Sequence, residues 1–377
     1  MDEQNLVLAA DIISKSSRER PADAVLREKL KAQRELWGGD ATEISRAVFS
    51  YYRWQGWVES GIPSSGQIKQ ALLLAEQFRN RPETFSDAEL VGRAVPGWLQ
   101  NEMDISPAWI RAIQAEPRLW LRARKGLGKA LAAELGNAGI HGEGPLADTL
   151  EYHGSEDLFR TPQFHAGAFE VQDLASQAVG LICAPQPGQT WWDVCAGEGG
   201  KLLHLSDMMN NRGLIWATDK AEWRLKKLQR RTARARVFNY RLRTWNGGPR
   251  LPFKTCFDGV LVDAPCAGIG TWQRNPHARW TTTPQDLREL AEIQHQLLVN
   301  LLPAIKRGGK LIYAVCTLSR SETTEVVARL KDRLSNFSPL EITNPLEPKS
   351  TPRPELLLRS EDTGANGMFI AGWTRIG

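Results

Sequence analysis

No apolar run in the 377 residues approaches the roughly 18 that a membrane-crossing helix needs. The opening stretch, MDEQNLVLAADIISKSSRER, does not read as a secretory leader either: it begins with two acids and carries Asp11 inside its apolar run. Cysteine is scarce: Cys183, Cys195, Cys256, Cys266 and Cys316 are odd in number, widely spaced and free of any C-x-x-C pair. That argues against a disulfide framework and against a metal site, and it sets the expectation of a reducing cytoplasm. No internal repeat is visible. What is present suits a packed globular protein: 42% hydrophobic residues, 24% charged, and length for two or three domains at about 150 residues each. The net charge of +5 admits a nucleic-acid partner without requiring one.

The chain changes texture twice. Through residues 1–84, apolar residues recur at helical spacing in LVLAADII, AVLREKLKAQREL and ATEISRAVFSYYRWQGWV, with Asp40 placed to cap the last of these. No catalytic constellation accompanies them. Residues 85–165 are mixed: PGWLQNEM and PAWIRAIQAE read as short helices, and ALAAELGNAGI as a helix ending in glycine. RLWLRARK reads as a strand with a basic face formed by Arg118, Arg122 and Arg124. From 166 to 377, strands alternate with helices, the mark of a parallel sheet, and TNPLEPKSTPRPE reads as a surface loop.

The strand ends of the last part hold the chemistry. TWWDVCA runs into the glycine loop AGEGGK, GLIWATD ends on Asp219, FDGVLVD on Asp263 and GGKLIYAVC on Cys316; RVFNYRL is a weaker third strand. Ligands of open α/β sheets bind beyond the carboxyl ends of the strands. Gly197, Gly199 and Gly200 follow a strand and open a helix, which lets backbone approach a ligand at a helix N-terminus. An acid at Asp219, ending the next strand, suits ribose hydroxyls. Together they read as the site of a nucleoside-containing cofactor, although the third glycine of G-x-G-x-x-G is missing. Cys183, Cys195 and Cys256 read as small buried hydrophobes. Cys266 and Cys316 lie where strands run out into the site, and suggest a nucleophile with a partner.

DAPCAGIGTWQRNP, YAVCTLSRSE, FEVQDLASQAV and DVCAGEGGK resemble the motifs of the RNA (cytosine-5) methyltransferases of the Sun type, over residues 160–377. More loosely, 1–84 resembles the helical NusB-like domain of ribosomal RNA members, and 85–165 their small α/β RNA-binding-like segment. The implied fold is α/β, a Rossmann-like S-adenosylmethionine-dependent methyltransferase domain behind an all-α NusB-like domain. In this resemblance the cofactor lies on Cys195, Ala196, Gly197, Glu198, Gly199, Gly200 and Lys201, with Asp219 at the ribose and Asp263 near the methionine end. Cys316 is the nucleophile, Cys266 the helper in product release, and Pro265 and Arg274 the residues near the substrate. The family's Ala-Pro-Gly-Gly-Lys is replaced by Gly197-Glu198-Gly199-Gly200-Lys201, Asn246 stands where an acid follows the third strand, and the usual Glu-Asn-Glu is Glu322-Thr323-Thr324.

The implied partner is RNA, with ribosomal RNA of the small subunit expected; no metal, no membrane and a monomer are expected. Transfer RNA as substrate, and a non-catalytic RNA-binding assembly factor of the same fold, stand as alternatives; a nicotinamide-dependent oxidoreductase accounts poorly for the two thiols. Contacts to RNA are expected from the basic stretch 220–236, with eight Lys or Arg against one acid, and from Arg118, Arg122 and Arg124. Trp272 and Trp280, flanking the site loop, are the candidates for stacking on a base.

Overall fold

The computed structural model describes residues 1–32 and 38–377. They divide into two compact units, one formed by Met1–Pro117, Gly268–Asp286 and Arg359–Gly364, the other by Arg118–Ala267, Leu287–Leu358 and Ala365–Gly377.

In the first unit, helices Glu3–Lys15, Ala22–Ala32, Gly38–Trp54 and Ser64–Asn80 close over one core. Leu6, Ala9 and Ile12 of the first and Ile44, Ala47 and Val48 of the third are buried there, the three- and four-residue spacing read from the sequence. Asp2 caps the first helix by accepting from the Asn5 amide at 2.7 Å. Asp40 is not a cap: it lies inside the first turn of Gly38–Trp54, where an acid favours the positive helix end, and its carboxylate accepts from Asn5.

Segment Gly268–Asp286 is largely irregular, and its carbonyls find unusual donors. Arg279 is fully buried. Its guanidinium donates to the carbonyls of Trp272, Ala94 and Ile113 and to the side chain of Gln114. Arg53, also buried, donates to the Gln273 carbonyl at 2.7 Å. Burial pushes the pKa of both guanidinium groups down, Arg53 to about 10, which still leaves it cationic at neutral pH. The same segment corrects the expectation for two tryptophans. Trp272 is fully buried with its ring edge-on to Trp98, and Trp280 packs on the helical core while donating to the Tyr52 carbonyl at 2.7 Å. Their faces are spent on packing within the unit.

The second unit holds two sheets. Strands β1 (Leu119–Ala123), β2 (Ala138–Ile140), β3 (Thr149–Tyr152) and β4 (Phe169–Val171) form an antiparallel sheet of order β2-β3-β1-β4. The arginines in and beside β1 do not form the exposed basic face expected of them, because the Asp207 carboxylate takes two of the three. Arg122 is buried and bonds Asp207 and the side chain of Gln172; Arg124 pairs with the other Asp207 oxygen at 2.7 Å. Arg118 alone stays half-exposed, beside Glu151.

The large sheet comprises β5 (Thr190–Asp193), β6 (Leu214–Asp219), β7 (Tyr240–Thr244), β8 (Phe257–Asp263), β9 (Ile305–Val315), β10 (Phe337–Pro339), β11 (Glu355–Leu358) and β12 (Met368–Arg375). Its order is β10-β12-β9-β8-β5-β6-β7, with β11 on β12. Strands β5 to β9 are parallel and β12 joins antiparallel. The chain lays β6 and β7 to one side of β5 and β8 and β9 to the other. That reversal opens a crevice at the carboxyl ends of the central strands. The third parallel strand starts at Tyr240, four residues later than RVFNYRL suggested, because Arg236 takes a left-handed φ of 52° that ends the preceding helix and cannot enter a ladder.

Candidate active site

A cavity of about 660 Å³ lies at those strand ends. Cys195, Ala196, Gly197, Glu198, Gly200, Lys201, Asp219, Asp263, Pro265, Cys266 and Cys316 line it. Of the predicted site residues, Gly199 shapes it from behind, and Arg274 belongs to the half-buried segment of the other unit.

The glycine loop turns between β5 and helix Gly200–Met208. Gly197 and Gly199 sit at φ of 54° and 87°, the left-handed region that side chains resist. At Gly199 a Cβ would also come within 2.6 Å of Leu228, so glycine is required twice over. The Gly197 amide donates to Asp219 Oδ2 at 3.0 Å and the Ala221 amide to Oδ1 at 2.8 Å. Asp219 thus ties the loop to the end of β6, and each oxygen retains capacity to accept from a ligand. Glu198, the departure from the family's proline, is neutralised by Lys227 at 2.6 Å, while its carbonyl accepts from Arg231. The charge is repaired and the loop tethered from outside.

Lys201 donates to Asp263 Oδ2 at 2.6 Å. Burial alone would lower the Lys201 pKa, but the Asp263 carboxylate more than offsets it and the value is raised. Asp193, an acid inside an apolar strand that was not singled out in the sequence, lines the same cavity. It is buried, and neither oxygen has a well-aligned partner, the Leu202 amide giving only weak help. Burial, with the nearby Asp263 carboxylate, pushes its pKa up to about 7. Asn246, Trp245, Ile293 and Leu297 complete the wall beyond β7.

The register of two parallel strands brings the thiols together. Asp263 of β8 lies opposite Ala314 of β9, and the Ala264 amide extends the ladder to the Ala314 carbonyl at 3.0 Å. Cys266 follows three residues after Asp263 and Cys316 two after Ala314. Their Sγ atoms stand 3.4 Å apart as free thiols, half-buried on the cavity wall. Cys183 is a buried hydrophobe, as read. Burial pushes the Cys195 thiol up, which keeps it protonated although it lines the cavity. Cys256 is exposed, contrary to expectation, since it precedes β8 on the surface.

The basic stretch 220–236 is helix Glu222–Arg234 and its flanks. Arg231 and Arg234 are consumed by the buried Glu170. The outer face keeps Arg224, Lys226 and Arg230, together with an exposed Trp223 whose ring lies under Arg224 and Lys227 at 5.3 and 4.8 Å.

A family profile described as 16S rRNA methyltransferase RsmB/F matches residues 180–374, every cavity-lining residue but Ser176 included. The chain belongs to that family. A probable ribosomal RNA small subunit methyltransferase B of Synechocystis is 35% identical over 222 residues, covering 57% of this chain and 49% of that protein. A ribosomal RNA small subunit methyltransferase B of Salmonella paratyphi A is 28% identical over 291 residues, covering 72% and 66%. The chain therefore spans between about half and two thirds of the length of these curated relatives. Among solved structures, NSun6 from Pyrococcus horikoshii with SFG shares the fold with a TM-score of 0.63 at 18% identity, over 72% of this chain and 94% of that one. No described helix is long and apolar enough to cross a membrane.

Proposed function

We propose that this protein transfers a methyl group from S-adenosylmethionine to C5 of a cytosine in ribosomal RNA, acting as a monomer in the cytoplasm. The observation that carries the reading is the pair of free thiols 3.4 Å apart on the wall of a cavity whose other wall is a glycine loop and an acid at a strand end. The residues present fit the cofactor. The cavity volume falls in the range of small-molecule sites. At Gly197 a Cβ would meet only the Cys195 carbonyl, at 4.0 Å, so a ligand can approach bare backbone there. The loop Cys195–Lys201 and Asp219 would hold the nucleoside, with Asn246 beside them, and Asp263 the methionine end. When bound, S-adenosylmethionine supplies an electrophilic methyl group.

C5 of cytosine is a poor nucleophile until C6 is attacked. The Cys316 thiolate adds to C6, and the electron pair of the C5–C6 double bond makes C5 an enamine carbon able to take a methyl. Release requires the C5 proton to leave and Cys316 to be expelled as thiolate, re-forming the double bond. Cys266 is in reach to assist that step. The outer face of helix Glu222–Arg234 offers cations for phosphates and the Trp223 ring for a base. The helical region 1–84 and the segment 85–165 are read as further RNA-binding parts. Ribosomal RNA is favoured over transfer RNA by the names of both curated relatives.

Bisulfite sequencing of unmodified small-subunit RNA, incubated with purified protein and S-adenosylmethionine, tests the reading. It should reveal a protected cytosine; protection confined to transfer RNA would change the substrate, and none in either would overturn the activity.

A further inference from the structure

The mechanism uses two thiols but leaves a third buried group beside them unexplained. Glu322 is fully buried, and all four of its hydrogen-bond donors are neutral. They come from both cysteine-bearing segments. The Ala267 amide, immediately after Cys266, donates to Oε1 at 2.8 Å. The Thr317 hydroxyl, immediately after Cys316, donates to Oε2 at 3.0 Å, joined there by Ser319 at 3.0 Å. Gln294 completes the figure. Its amide nitrogen bonds Glu322 Oε1 at 3.0 Å and the carbonyl of Pro265, just before Cys266, at 2.8 Å. Its amide oxygen accepts from Tyr313, whose hydroxyl also reaches the Glu322 carbonyl. The register of β8 and β9 sets where the two loops begin, but beyond Ala264 and Val315 the sheet ladder has ended and no ladder bond holds the loops themselves.

We propose that Glu322 is a positioning residue whose carboxylate clasps the two loops and sets the separation of Cys266 and Cys316. The clasp rests on the reading of these thiols as the reacting pair. Burial makes ionisation of Glu322 harder and raises its pKa, while the four donors pull the other way. An acceptor with four occupied sites in two directions is what two irregular loops require, and glutamate at the end of a short 3-10 turn provides it.

The geometric claim is measurable without RNA. In a Cys256→Ser background, diamide should convert the two thiols into a disulfide, two electrons and two protons passing to the diamide. Peptide mass mapping identifies the bond. Wild-type spacing should close it quickly; Glu322→Ala should slow closure about tenfold, the loss expected when charge-assisted bonds release both loops. Glu322→Gln, which keeps one acceptor oxygen towards Ala267 and offers an amide to the two hydroxyls, should restore most of the rate. Thermal melting and S-adenosylmethionine titration report whether each variant is folded. Should Glu322→Ala not fold, Gln294→Leu, which unties the Pro265 side alone, should slow closure about threefold.

In methylation assays the same variants should lower kcat in step with closure and leave KM for RNA in place, a split that simple destabilisation does not give. Folded Glu322→Ala and Gln294→Leu that close the bond at the wild-type rate would overturn the proposal. Slow closure in Glu322→Ala, with no methylation by any form including wild type, would overturn the functional reading and leave the clasp standing.

Discussion

The two halves of the cavity are built by different means. The cofactor half rests on fixed charges and backbone: two left-handed glycines, an acid that staples the loop to β6, and a lysine–aspartate pair. Among the described residues the thiol half has no ion pair. It rests on the register of two parallel strands and on neutral donors around one buried carboxylate. The first design tolerates sequence change as long as charge is repaired, as Lys227 does for Glu198. The second depends on the hydrogen bonds that meet at one buried carboxylate. The halves should therefore fail separately.

Cys316→Ala should have the largest effect. Methyl transfer should fall by several orders of magnitude, since no other group attacks C6, while S-adenosylmethionine affinity stays at the wild-type level. Activity and calorimetric titration on one preparation check both parts. Loss of cofactor affinity would show that the halves are not separable.

Asp219→Ala should do the reverse. The loss of a charged acceptor at the ribose, and of the tie to the Gly197 and Ala221 amides, should weaken cofactor binding by about 1.5–3 kcal/mol, roughly 10–100-fold. Diamide closure of the thiols should be unaffected. Unchanged cofactor affinity would remove Asp219 from the site. Gly199→Ala should act more weakly on the same half, through strain of roughly 1–3 kcal/mol at a φ of 87° and a clash with Leu228. A lowered melting temperature with intact thiol closure is the expected pair of results.

A different kind of effect is a pH dependence. Asp193 holds a proton up to about pH 7 in the folded protein, against an ordinary value of 3.8. Between those values the folded state binds a proton that the unfolded chain has released, so this group's contribution to stability falls as pH rises through the window and is flat above it. Asp193→Asn abolishes that fall. Its stability should drop less than that of the wild type between pH 4 and pH 8, by about 1–4 kcal/mol, as read from denaturant titrations. Parallel curves for the two proteins would place the Asp193 carboxylate in a wetter environment than the cavity wall suggests.

Much of this was legible in the sequence, and the reasons are local. Helical spacing marked the first three helices, and strands ending on Asp219, Asp263 and Cys316 marked the crevice, because apolar runs broken by glycine or acid follow directly from how a parallel sheet is built. Features set by non-local packing were not legible. An alternating Arg-x-Arg strand looks like an exposed basic face until a carboxylate from elsewhere in the chain meets it, as Asp207 of helix Gly200–Met208 meets Arg122 and Arg124. Trp272 and Trp280 flank the site in sequence, yet their rings pack in the helical unit. Glu322 is the one residue of the family's Glu-Asn-Glu that is kept, and its importance appears only when the amide of Ala267, 55 residues earlier, is found on its carboxylate. Asp193 did leave a signal, an acid inside an apolar strand, which the glycine loop beside it overshadowed.

The division of labour between the two thiols is the centre of the account, and denaturing gel electrophoresis of protein mixed with substrate RNA and S-adenosylmethionine tests it most directly. Cys266→Ala should still add to C6 and accept the methyl, but release should stall, so a protein–RNA band that survives denaturant should accumulate. Cys316→Ala should give no such band. With the Sγ atoms 3.4 Å apart, proximity assigns neither role, and only the chemistry separates them. A stable adduct in Cys316→Ala and none in Cys266→Ala would contradict the assignment and make Cys266 the nucleophile.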